Sequence, residues 1–194
     1  MGLSIHYSGQ FKRNESLLSF IEEVRNVAEV YNWPYHVFEE AFDMEKIGKK
    51  EYGEDLFGIS ITPTNCETVS FTFLSNGRMS SVVNLQAFGG DEKNMDYVYK
   101  VFTKTQYAGA EMHKLLIHLF RHLSKKYFTN FELIDEGQYW ETGDEKLLEE
   151  IFQRYTDMIN SFTSSLEKFP RLDGESFEEY FERLGNKIVN RKRQ

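Results

Sequence analysis

The sequence predicts an α+β fold: a mostly antiparallel sheet of five to seven strands, with helices packed mainly on one face. Three observations carry this. Several segments alternate apolar and polar residues at period two, others repeat apolar residues at four-and-three spacing, and an Asn76-Gly77 pair sits between two alternating runs. Asn-Gly tolerates positive φ at both turn positions and so favours a two-residue hairpin, which makes at least part of the sheet antiparallel. The 194 residues are read as a single domain spanning 1–194, with 174–194 a peripheral C-terminal helix.

Residues 3–8 alternate Leu3, Ile5 and Tyr7 against Ser4, His6 and Ser8, as in a half-buried strand. Asn14 is placed to cap a helix carrying Leu17, Ile21, Val24, Ala28 and Tyr31 on one face. Trp33-Pro34 imposes extended backbone before a strand over 35–40. Residues 43–55 are charged and carry two glycines, which reads as a loop. Strands are expected over 56–62 and 68–74, and the return strand of the hairpin over 78–84. Phe88-Gly89-Gly90-Asp91 breaks the pattern, and 97–104 reads as a further strand through Tyr97, Tyr99 and Val101. A helix over 110–127 with Leu116, Leu119, Phe120 and Leu123, and a short strand over 131–134, complete this part. Thr142 with Glu145, and Ser176 with Glu179, are capping boxes that open the last two helices.

Composition excludes several functions. A formal net charge of −8 repels phosphate backbones, so no nucleic-acid partner is expected. The one basic cluster along the chain, Arg191-Lys192-Arg193, reads as a helix end. No apolar run reaches the ~18 residues of a span, so no membrane partner is expected. The N-terminus lacks a basic and an apolar region, so a cytoplasmic location is the expectation. Cys66 is the sole cysteine and has an acidic neighbour that disfavours thiolate, so it is not read as a nucleophile. No cofactor and no metal site is expected. His118 and His122 have HxxxH spacing but lack the glutamate of a metalloprotease helix.

Four constellations can carry chemistry. The segment 135–144 places Asp135, Glu136, Glu141, Tyr139 and Trp140 between a strand and a helix, where carboxylates can act as acid and base and Trp140 can stack a ring. Lys104 and Gln106 precede a helix start where backbone N–H groups can meet an anion. His113 is expected to face the sheet or its rim, as a satisfied histidine or a catalytic one. Ser4, His6, Ser8, Ser60, Thr62, Ser70, Thr72 and Ser81 form a hydroxyl-rich set opposite the apolar stripe, either a binding platform or ordinary outward residues. Two functions follow. One is a binding or protein-interaction domain without catalysis, with an unidentified protein partner or self-association. The alternative is a small hydrolase or transferase on a polar small molecule, using the carboxylates of 135–144.

Overall fold

A computed structural model describes residues 2–90 and 93–191. Asp91, and Lys192 and Arg193 of the basic terminal cluster, lie outside the described residues. The chain is α+β, and the described residues form seven strands in two antiparallel sheets and six α-helices. It divides into two compact units between Phe152 and Gln153.

In the first unit, β1 (Ser4–Phe11) is the middle strand of a three-stranded sheet, between β6 (Val101–Lys104) and β7 (Phe128–Asp135). The second sheet runs β2 (Tyr35–Val37), β3 (Phe57–Ile61), β4 (Val69–Phe73), β5 (Met79–Ser80) in chain order. Helix α1 (Leu17–Val30) buries Leu17, Ile21, Val24 and Ala28 of the predicted four-and-three stripe, and Phe20 beside them. Its cap is Ser16 rather than Asn14: the Ser16 hydroxyl accepts from Ser19 N at 3.2 Å. Tyr31 falls beyond the helix, half exposed, and stacks on the buried Trp33.

The core between sheets and helices is aromatic. Phe20 is fully buried and its ring contacts those of Phe11, Phe71, Phe73, Tyr127 and Phe128. Tyr7 on β1 reaches across to β4, where its hydroxyl donates to Ser70 O (3.1 Å) and accepts from Ser70 N (3.0 Å).

The hairpin at Asn76-Gly77 differs from expectation. Leu74 N donates to Arg78 O and Gly77 N to Leu74 O, so the loop has three residues. Only Gly77 takes positive φ, at 80°. Asn76 is fully buried and uses its side chain instead: Oδ1 accepts from Arg78 N, and Nδ2 donates to the Tyr99 hydroxyl. The return strand also stops early, at Ser80. Ser81 has extended backbone and its hydroxyl accepts from Asn84 N, opening helix α2 (Val82–Phe88) where a strand to Asn84 is predicted. Asn84 Nδ2 then donates to Tyr97 O and Lys100 O, both at 2.7 Å, which ties α2 to a 3-10 turn over Met95–Tyr99. That turn replaces the first half of the strand expected over 97–104.

Helix α3 (Gly109–Tyr127) matches its predicted span, and β7 is longer than predicted. Glu23 of α1 accepts from Lys126 Nζ (2.8 Å), from the Tyr127 hydroxyl (2.6 Å) and from His122 Nε2, joining α1 to the end of α3. Burial alone would raise this carboxyl, but the bonds from Lys126, Tyr127 and His122 outweigh it and hold it at about 2. A depressed carboxylate stabilises the fold above its unfolded pKa of ~4.3, and that contribution is lost as pH falls toward 2. Glu23→Gln is expected to cost about 1–2 kcal/mol at neutral pH, after discounting for solvent screening. Urea unfolding of both proteins at neutral and acid pH checks this, because the gap between them should close on acidification.

Short α4 (Tyr139–Thr142) leads into α5 (Glu145–Lys168), whose residues up to Phe152 belong to the first unit. The cap of α5 is Asp144, accepting from Leu147 N, and Thr142 supports it by accepting from Asp144 N. In the second unit, α6 (Phe177–Arg191) opens with the expected capping box. Ser176 N donates to Glu179 and Glu179 N to the Ser176 hydroxyl. Arg183 binds Glu175 through two nitrogens, at 2.7 and 2.8 Å, while Phe177 and Phe181 remain exposed. No helix among the described residues is long and apolar enough to cross a membrane.

Candidate functional site

The two strand-to-helix segments singled out by sequence, 104–110 and 135–144, meet. β6 and β7 flank β1, so the C-terminal ends of both strands lie beside the first residues of β1. Just past β6, Thr105 is fully buried, and its hydroxyl is 2.7 Å from His113 Nδ1. His113 Nε2 is 2.8 Å from Asp135 Oδ1 at the end of β7. The connectivity is hydroxyl, imidazole, carboxylate, as in nucleophilic catalysis. Thr105 and His113 are 0% exposed and Asp135 4%, so a substrate has no approach to the hydroxyl.

Asp135 is saturated as an acceptor. Besides His113 it takes Gly137 N (2.6 Å) on one oxygen, and Tyr139 N (2.8 Å) and Trp140 N (2.9 Å) on the other. Burial pushes its carboxyl up, but the hydrogen bond and charge of His113 and the N–H groups of Trp140 and Gly137 outweigh that and hold it below the usual range. Gly137 is part of the packing: a Cβ there would lie 2.8 Å from His113 Nε2 and 2.7 Å from Leu148 Cδ1. With Nε2 donating to Asp135, a neutral imidazole accepts the Thr105 proton at Nδ1. In a charged ring Nδ1 donates, and Thr105 can turn its proton to Leu3 O, 3.3 Å away.

Two of the remaining sequence candidates hold backbone. Gln106 Oε1 accepts from Leu3 N (2.9 Å), and Glu136 Oε2 from Ser4 N (2.7 Å). Glu136 also lies 3.7 Å from His6 Nε2. Lys104 pairs with Glu67 at 3.8 Å. Tyr139 is buried, with its hydroxyl 3.3 Å from His118 Nε2. Trp140 packs edge-on against Phe131, and Arg121 lies over it while donating to the Tyr139 and Trp140 carbonyls. Glu141 is exposed. Gln106, Glu136, His113 and Asp135 therefore gather beside the opening residues of β1, around a closed hydrogen-bonded knot, whereas Lys104 and Glu141 stand apart from it. Among the described residues no three His, Cys, Asp or Glu side chains are gathered as for a metal ion. Burial raises the Cys66 thiol, and Glu67 adds to that against the Thr103 hydrogen bond.

The hydroxyl set divides. Ser4, His6 and Ser8 belong to β1, whereas Ser60, Ser70 and Thr72 belong to β3 and β4. Ser60 and Ser70 face each other across the strands. They line a cleft of about 510 Å³ together with Thr72, Asn84 and the apolar side chains of Phe38 and Phe102, with Val82 and Val83 of α2 alongside. Thr72 spends its proton on Ser80 O, and Ser81 on Asn84 Oδ1. Among the described residues the half-buried Ser60 and Ser70 hydroxyls have no protein partner. Sequence reasoning named these serines but missed α2, which makes the cleft concave. The signal was Ser81 three residues before Asn84, a helix cap masked by the strand-like Val82-Val83.

No family model matches the chain, and neither curated proteins nor solved structures give a match.

Proposed function

We propose that this chain is a binding domain without catalysis, whose ligand lies in the cleft lined by Ser60, Ser70 and the start of α2. The observation that carries this reading is the cleft's composition: two serine hydroxyls without a protein partner between apolar walls of Phe38, Val82, Val83 and Phe102, with Glu67, paired to Lys104, and Thr68 also lining it. A few placed polar groups in an apolar concavity are what fixes the orientation of a bound molecule. Because Tyr7 occupies the main-chain N–H and C=O of Ser70, those groups point away from β3. Ser60 and Ser70 are then a non-hydrogen-bonded pair, the kind whose side chains stand closest. The ligand has hydrogen-bonding groups along one edge and an apolar side. The saturated, buried state of Asp135 and His113 supports reading them as architecture instead of acid and base.

The test is amide chemical-shift mapping against a panel of neutral amphiphilic compounds and short peptides, with Ser70→Tyr as a cleft-filling control. Shifts are expected to cluster at residues 60, 70–72 and 81–84 and to vanish in the variant. Ligands that perturb amides elsewhere and ignore Ser70→Tyr would remove the reading.

A further inference from the structure

We propose that the cleft is one end of a groove along α2 that takes an extended, cationic peptide segment of a partner protein; this rests on the cleft being the binding site. Three concavities are contiguous. The cleft shares Phe38 and Val82 with a second, of about 560 Å³, which shares Glu54, Leu85 and Gln86 with a third, of about 840 Å³. Successive residues of α2 form one wall, from Val82 in the first to Gly89 and Gly90, just past its end, in the third. Seven helical residues rise ~10 Å, and the cleft over β3 and β4 extends the path, so the groove suits several residues of extended chain at ~3.3 Å each.

The chemistry changes along this path. Hydroxyls and Phe side chains at the first end, with Glu67 among them, give way to Glu39, Glu54 and Asp55 in the middle, and then to Tyr52, Leu85 and Met95, where Lys50 and Glu51 add one charge of each sign. The three middle carboxylates are exposed, and among the described residues none has an ion-pair partner. Lys50 lines the third concavity but pairs with none of them, so the carboxylates repel one another, and a cationic ligand relieves that repulsion while being steered by it. The same charges reject phosphate. An alternating occupant, with apolar residues toward Phe38, Val82 and Leu85 and Lys or Arg toward the carboxylates, satisfies both features of the groove.

Fluorescence anisotropy with a labelled decapeptide of alternating Lys and Val tests this, alongside counterparts with Glu or Ser in place of Lys. The Lys peptide should bind best, weaken with added salt, and lose ~10-fold in affinity in the E39Q/E54Q/D55N variant, whose changes are exposed and nearly isosteric. The Glu peptide should not bind. If the Lys peptide binds no tighter than the Ser peptide, or the triple variant leaves its affinity unchanged, the cationic inference is overturned. In that event, binding of the Ser peptide that is lost in Ser70→Tyr leaves the cleft standing, and binding indifferent to both variants removes the cleft as well.

Discussion

Asp135→Ala is expected to lower stability by about 3–5 kcal/mol, the cost of stripping a buried acceptor from several donors at once. Four donors lose their partner: His113 Nε2 and the N–H groups of Gly137, Tyr139 and Trp140. None can turn to water without opening the junction between β7 and α4. Asp135→Asn keeps one oxygen and should recover part of the loss. The pH dependence separates charge from packing. The carboxyl is held below its ordinary value, so its contribution is full above the unfolded pKa of ~3.9 and disappears as pH falls through the folded one. Urea denaturation from neutral to acid pH should therefore show the gap between the native protein and Asp135→Ala narrowing below about pH 4. A constant gap would mean that the carboxylate is not the group being titrated.

Phe20→Ala should cost a similar amount, about 3–5 kcal/mol, for a different reason. The ring is at the meeting point of α1, both sheets and the end of α3. It touches Phe11 on β1, Phe71 and Phe73 on β4, Tyr127 and Phe128. Aromatic neighbours fixed from four directions cannot collapse into the void, so the cavity term persists. Phe20→Leu keeps most of the volume and should lose only about 1–1.5 kcal/mol. Thermal or urea unfolding measures both. Equal losses for the two variants would mean that the edge-to-face contacts, and not the volume, set the stability of this core.

The legible parts of the fold were those governed by a single period. The stripe of α1, the span of α3 and the alternation of β1, β3 and β4 all follow from residues a few positions apart. The illegible parts were decided at long range. Val82 and Val83 favour a strand by intrinsic preference, yet Asn84 finds two carbonyl partners thirteen and sixteen residues away, and the chain turns helical there. Asn76 gave up the positive φ expected of it because its side chain is used by Tyr99 and Arg78. The site divided in the same way. His113 and Asp135 were recognisable as groups with chemistry, but Thr105, which completes their chain of hydrogen bonds, is a residue type that carries no signal by itself. Equally, a row of outward hydroxyls could be read along each strand. Which of them share one concavity depends on their division between two sheets.

The bond from Tyr7 to Ser70 bears on how a ligand would be received. β5 pairs with β4 only at Thr72 and Phe73, so the edge of β4 is bare of strand at Ser70, and a single phenol hydroxyl takes both of its main-chain groups. Tyr7 sits in the central strand of the other sheet, packed against Phe120. The floor of the cleft is thus braced at its edge by the central strand of the other sheet. Such a receptor has little freedom left to surrender, and an incoming chain would bear almost the whole entropic cost of the encounter itself.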